Sequence, residues 1–207
     1  MANDERQWYR RIFRTAHRIL LERHLRDPIA GLAGDVLVLG AGYENYRDSL
    51  ACAQTVFLTD IDTENDRIDQ VMDAHKITFG EDSFDAVVAI EIFENLRNPT
   101  LAASEVFRVL RPGGRALISI PFLFRVHGDP HDFQRFTASG LETLFQKFSS
   151  VSVEGFGRRN HVISDIVTTA SRALVPLRIF NHALTFRPLH SAPSKDCPSG
   201  FIVQLRK

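Results

Sequence analysis

An excess of charge of either sign is the first thing this sequence lacks. Lys and Arg together number 25, as do Asp and Glu, so the 207 residues carry no formal net charge. That argues against a dedicated nucleic-acid binder and leaves room only for a local basic groove. Cysteine is scarce. Cys52 and Cys197 are far apart and neither belongs to a C-x-x-C pair, which leaves no cysteine metal motif and suits a reducing cytosol. Cys52 lies in an apolar helical stretch and is expected to be a buried free thiol. Long apolar runs are missing, and the opening MANDERQWYRR has no apolar h-region of a secretory signal, so a cytoplasmic protein is expected. What is present, 44% hydrophobic and 24% charged residues, is an ordinary globular balance at a length that suits one core. A single domain over 1–207 follows, with a helical N-terminal extension at 1–34 and the core at 35–207.

The core is organised around the stretch DVLVLGAGYENYRDSLACAQTVFLTD at 35–60. An apolar run breaks at Gly40-Ala41-Gly42, and a second apolar run ends on Asp60. A buried strand, a glycine turn, a helix and a strand ending in an acid form a nucleoside-binding half-sheet. Three absences narrow the nucleoside. The third glycine of G-x-G-x-x-G is Asn45, no tyrosine has a lysine four residues on, and no G-x-x-x-x-G-K-[ST] loop exists. Neither a nicotinamide dehydrogenase nor a triphosphate site fits, and an adenosine ligand without a pyrophosphate remains.

Along the chain, the spacing of Trp8, Ile12, Ala16, Ile19 and Leu20 predicts an arginine-rich amphipathic helix over 5–26 that packs on the sheet or lies on an anionic membrane surface. Asp27-Pro28 and Gly31 are expected to break it. A crossover helix over 45–53, strands over 55–58, 86–90 and 116–120, and a weak strand near 68–72 come next. A helix starts at Asn98-Pro99-Thr100, and Ser139 with Glu142 fits a capping box. Further on come a strand over 151–153, apolar helical pieces over 162–180 interrupted at Pro176, and a closing strand over 201–205. Strands and helices alternate, so the class is α/β with a mainly parallel sheet.

The run FGEDSFDAVVAIEIFENLRNPTLAASEVFRVLRPGGRALISIPF resembles the core of class I S-adenosylmethionine-dependent methyltransferases of the UbiE-like, type 11 group. Phe79, Asp82 to Asp85, Glu91, Glu94 and Arg108 to Gly114 carry the match, and the loop HGDPHDFQRFT is similar to a segment of one branch of that group. The resemblance covers roughly 35–145 plus the closing strand. It implies a Rossmann-like three-layer sandwich whose mostly parallel seven-stranded sheet has order 3-2-1-4-5-7-6 with the last strand antiparallel. It also implies S-adenosyl-L-methionine as cofactor. Carried over, Gly40 and Gly42 admit the methionyl part, Asp60 takes the ribose hydroxyls, Ile61 packs on the adenine, and Asp73 with Ala74 stands at the adenine amino group. The chain departs from the family at Val38, Glu44 and Asn95, where an acid, a third glycine and a histidine are usual.

Methyl transfer needs an aligned acceptor, exclusion of water and a base for an oxygen or nitrogen acceptor. Residues after strands four and five are therefore candidates: Glu91, Glu94, Asn95 and the loop 127–135. An imidazole that titrates near neutrality makes His127 or His131 a candidate general base, the alternative being that one of the two only caps the loop. Glu91 is a base, a holder of the cofactor's amino group, or a solvated strand end. The His127, Asp129, His131 spacing is a poor metal signature and no metal is expected; Asp132 and Arg135 are expected to pair. Phe122, Phe124, Phe133 and Phe136 wall an acceptor pocket or pack a lid. The expectation is a methyltransferase acting on an oxygen or nitrogen of a small molecule or a glycan- or lipid-linked precursor. The alternative is a non-catalytic cofactor-binding regulatory or assembly protein.

Overall fold

The computed structural model describes residues 12–42, 44, 46–126, 131–186 and 197–207. Fifteen elements follow in order: α1 (Ala16–Ala30), β1 (Gly34–Leu39), α2 (Tyr46–Ser49), β2 (Ala53–Asp60), β3 (Gln70–Val71), β4 (Phe84–Ile90), a 3₁₀ turn (Phe93–Asn95), α3 (Pro99–Val109), β5 (Leu110–Pro121), α4 (Ala138–Leu144), β6 (Ser150–Phe156), α5 (Arg159–Thr169), a second 3₁₀ piece (Arg172–Ile179), α6 (Phe180–Leu184) and β7 (Gly200–Arg206). The seven strands form one sheet in the order β3-β2-β1-β4-β5-β7-β6. β1 pairs in parallel with β2 and β4, β2 with β3, and β4 with β5. β7 runs antiparallel: Gly113 N–H donates to the Lys207 carbonyl, while Phe122 N–H donates to that of Ser199. This is the Rossmann-like sheet that the family pattern implied.

Two compact units can be separated. The larger comprises 26–121, 127–154 and 201–207; the smaller comprises 1–25, 122–126 and 155–200. In the larger unit, Val36 to Leu39 and Ala86 to Ala89 are almost wholly buried. An unbroken apolar run is what a strand covered on both faces requires, and each Val or Leu side chain in it contributes roughly 1.5–3 kcal/mol of burial. In the smaller unit, Asp165 caps the start of α1, its carboxylate accepting the N–H groups of Ala16 and His17 at 2.7 and 2.8 Å.

Register is what positions the cleft. Leu39 lies opposite Thr59 on one side and Ala89 on the other, and Ile90 opposite Ser119. Gly40, Asp60 and Glu91 therefore leave the sheet at nearly one level, beyond the carboxyl ends of the strands. Ligands of open α/β sheets bind there.

Several local expectations need correction. The described helix is Ala16–Ala30 and contains Pro28; in the last turn a proline forfeits one hydrogen bond and the helix runs on for two residues. Trp8 and the arginines at 6, 10 and 11 lie outside the described residues. The crossover helix is only Tyr46–Ser49 because β2 begins at Ala53 and claims the rest. Cys52 is thus in a turn, and it is an exposed free thiol. Helix α4 is capped by Thr137, whose side chain accepts the Gly140 N–H, so Ser139 is inside the helix. The break in 162–180 falls after Thr169, and Pro176 lies within the 3₁₀ piece. No helix among the described residues is long and apolar enough to cross a membrane.

Candidate functional site

A cleft of about 410 Å³ opens at the carboxyl ends of the strands, all of it within the larger unit. Its walls bring together Gly40 from the turn after β1, Asp60 and Ile61 from the end of β2, Asp73 to His75 after β3, and Glu91, Asn95 and Arg97 after β4. His131 and Phe133 complete it. Of the residues singled out from the sequence, Gly40, Asp60, Ile61, Asp73, Ala74, Glu91 and His131 meet here. Gly42 is not among the residues that line the cleft. His127 and Asp129 lie outside the described residues.

The glycine turn is held from below. Gly40 has φ +64°, and a Cβ there would stand 2.3 Å from Ile92 Cγ2, so conformation and space both demand glycine. Gly42 has φ +53° with open space around it; only its backbone angle demands glycine. Its N–H donates to Asp60 Oδ2 at 2.7 Å, and Asp62 N–H donates to Oδ1 at 3.0 Å. Two backbone donors thus fix the carboxylate, with one lone pair on each oxygen left for a ligand.

Glu91 occupies an unusual conformation. Its φ is +57°, in the left-handed region that a side chain enters at a cost of about 1 kcal/mol. Its N–H donates to the Ser119 carbonyl at 3.0 Å, the Ser119 hydroxyl donates to Oε1 at 3.1 Å, and Asn95 Nδ2 donates to the Glu91 carbonyl at 3.2 Å. These bonds hold the strained backbone in place beside the cleft.

Glu94, three residues on, has no solvent exposure, and neither carboxyl oxygen has a hydrogen-bond partner among the described residues. Burial, reinforced by the nearby Glu91 charge and opposed by Arg135, pushes its carboxyl up to about 8, so it holds a proton at neutral pH. The sequence motif named Glu94, but nothing in it foretold a neutral acid. The strap 131–137 lies over this turn: Phe133 N–H donates to the Glu94 carbonyl and Gln134 Nε2 to that of Leu96, both at 2.8 Å. Asp132 and Arg135 pair as expected. The His131 ring lies 5.4 Å from that of Phe133, whose other neighbour is the Arg97 guanidinium at 5.4 Å. Phe122 and Phe124 belong to the smaller unit, where Phe124 packs on His17; Phe136 does not line the cleft.

His75 was not singled out in the sequence. Its Nδ1 lies 2.7 Å from Asp73 Oδ1, and its Nε2 accepts the Asn98 N–H at 3.1 Å. Its own N–H donates to the same Asp73 oxygen at 2.9 Å. Burial pushes the Asp73 carboxyl up, but the two hydrogen bonds from His75 outweigh it and hold the group below its ordinary value. No group of three or more His, Cys, Asp or Glu among the described residues could hold a metal ion.

Comparison with known proteins shows what part of the chain is similar to methyltransferases. Residues 37–118 match the profile described as "Methyltransferase domain". A 48-residue stretch is 40% identical to the ubiquinone/menaquinone biosynthesis C-methyltransferase UbiE of Desulfotalea psychrophila, covering 23% of this chain and 20% of that protein. The chain thus spans about a fifth of the length of the curated relative it matches. Among solved structures, a SAM-dependent methyltransferase from Archaeoglobus fulgidus superposes with a TM-score of 0.62 at 13% identity, covering 97% of this chain and 98% of that one. The Haemonchus contortus phosphoethanolamine N-methyltransferase 2, held with phosphomonomethylethanolamine and S-adenosylhomocysteine, superposes at 0.56 with 14% identity over 92% of this chain and 51% of that one.

Proposed function

We propose that this protein, whose residues 37–118 match a methyltransferase-domain profile, is a class I methyltransferase of the type 11 group that binds S-adenosyl-L-methionine at the carboxyl ends of its strands and transfers the methyl group to an oxygen or nitrogen acceptor. The observation that carries this is convergence in one cleft: Gly40, Asp60, Ile61, Asp73, Ala74 and Glu91 come from four separate turns and line the same walls. Asp60 accepts from the ribose hydroxyls. Ile61 lies along the adenine, and Asp73 with Ala74 meets its amino group. Gly40 gives the methionyl part close access to backbone, while Gly42 holds Asp60 in place. The cofactor supplies an activated methyl group; the chain supplies alignment and a dry site.

Acceptor chemistry falls to the strap and the turn after β4. His131 lines the cleft and acts as general base, with Glu91 orienting the reacting groups and His127 as a second candidate base. The acceptor is a small molecule or a glycan- or lipid-linked precursor, and the setting is cytoplasmic. Titration calorimetry with S-adenosylhomocysteine and NADH tests the cofactor: the first should bind and the second should not. Incubation with labelled cofactor and a panel of acceptors tests transfer, with release of S-adenosylhomocysteine as the signal.

A second function is favoured by Asn95. It stands where the family has histidine, and its side chain is engaged with the Glu91 backbone. On that footing the chain binds the cofactor without turnover and serves as a regulatory or assembly partner. Tight binding with no transfer across a broad panel would select it.

A further inference from the structure

The hydrogen bonds around His75 fix its tautomer. A backbone N–H can only donate, so Asn98 N–H pointing at Nε2 requires that nitrogen to be the unprotonated one. Nδ1 then carries the hydrogen and donates it to Asp73 Oδ1. The same oxygen takes the His75 backbone N–H, closing an Asx turn. Oδ1 is therefore saturated from the protein side, while Oδ2 has no partner among the described residues. Asp73 lines the cleft with its side chain half exposed, and an unrestrained carboxylate at such a position would rotate freely.

We infer that His75 is a positioning residue for purine selection: it pins Oδ1 of Asp73 so that Oδ2 is presented as an acceptor, favouring a 6-amino purine, which donates at that position, over a 6-oxo purine, which accepts. The role presupposes the cofactor site proposed above. His75 reaches the ligand only through Asp73. Its own anchor is the peptide of Asn98, the residue whose side chain caps α3 by accepting the Leu101 N–H at 3.1 Å. The rigid start of a helix thereby sets the orientation of an acid on the facing loop. An oxygen facing a carbonyl instead of an amino group leaves two acceptors opposed, and sites built around one hydrogen-bond pattern reject such analogues strongly.

Two measurements test this. In the ligand-free protein, ¹⁵N chemical shifts of the His75 ring at neutral pH should show a protonated Nδ1 and a bare Nε2; the opposite tautomer overturns the inference without touching the cofactor assignment. Calorimetry should then compare S-adenosylhomocysteine with S-inosylhomocysteine on wild type, His75→Leu and His75→Asn. Wild type should prefer the adenosyl compound by about tenfold or more. His75→Leu should lose most of that preference. His75→Asn, whose amide can still donate from near the Nδ1 position, should keep it within about threefold. A His75→Leu protein that melts as wild type does and keeps the full preference would overturn the role, as would an Asn variant as unselective as Leu. Wild-type protein that binds neither compound overturns the cofactor assignment and this role with it.

Discussion

The two ends of the sheet use the same residue types for opposite ends. At the amino ends of β1, β4 and β5, Asp35, Asp85 and Arg111 satisfy one another: Arg111 lies 3.0 Å from Asp35 and 2.5 Å from Asp85. Asp85 also takes the Asp35 N–H at 2.8 Å, and the Thr55 hydroxyl donates to Asp35 at 2.7 Å. The Thr55 bond and then Arg111 hold the Asp35 carboxyl low; the Asp35 N–H and then Arg111 do so for Asp85. At the carboxyl ends, Asp60 is held by backbone N–H groups, Glu91 is strained, and Glu94 is buried without a hydrogen-bond partner for its carboxyl among the described residues. A closed charge network marks structure. Asp60 and Glu94 keep hydrogen-bonding capacity that no described neighbour fills.

The contrast can be broken in four places. Asp60→Ala should weaken S-adenosylhomocysteine binding by about 10- to 100-fold in calorimetry, since a charged hydrogen-bond acceptor is lost; unchanged affinity would deny the carboxyl end its function. Glu94 comes next. Its folded proton affinity exceeds its unfolded one, so its stabilisation is present below the ordinary value of 4.5 and is lost as pH rises toward about 8. Wild type should lose about 2 kcal/mol between pH 6 and pH 8 from this group, and Glu94→Gln should flatten that part of the profile. Parallel melting curves for the two proteins would show that the carboxyl is not held neutral. Gly40→Ala forces a Cβ against Ile92 at a positive φ and should lower stability by about 1–2 kcal/mol, together with cofactor affinity, in chemical denaturation and calorimetry. Arg111→Ala should have the smallest effect and leave cofactor binding intact. Because Arg111 helps depress its partners' carboxyls in the folded chain, the loss should be present near neutral pH and should shrink as pH falls through the carboxylate range, where wild type and variant converge. A binding defect in this variant would erase the distinction between the two ends.

The sheet was legible because its signals are local and stack in order: an apolar run into Gly40, an apolar run into Asp60, and the SFD and RPGG segments at the starts of β4 and β5. The cofactor-side cleft was legible for the same reason, since strand ends converge whenever register is preserved. Helix ends were less so. The spacing of Ser139 to Glu142 points to Ser139 as the cap, whereas the backbone, with Thr137 extended at ψ 165°, puts the cap two residues earlier. Cys52 looked helical because the boundary between a short α2 and an early β2 leaves no mark in the apolar periodicity. Glu94 and His75 escaped for a deeper reason. A carboxyl's protonation and a ring's tautomer depend on what surrounds them, here Glu91 and Arg135 for one and Asp73 and the Asn98 peptide for the other.

The left-handed backbone at Glu91 has a consequence of its own. Glycine would relax there, so the chain is held below the stability its own backbone permits, and the shortfall is concentrated in one peptide at the mouth of the cleft. A Glu91→Gly protein should be easier on its main chain and should lose a side chain that lines the cleft. Screening variants for thermal robustness alone would drift toward that exchange, giving up a cleft side chain for resilience.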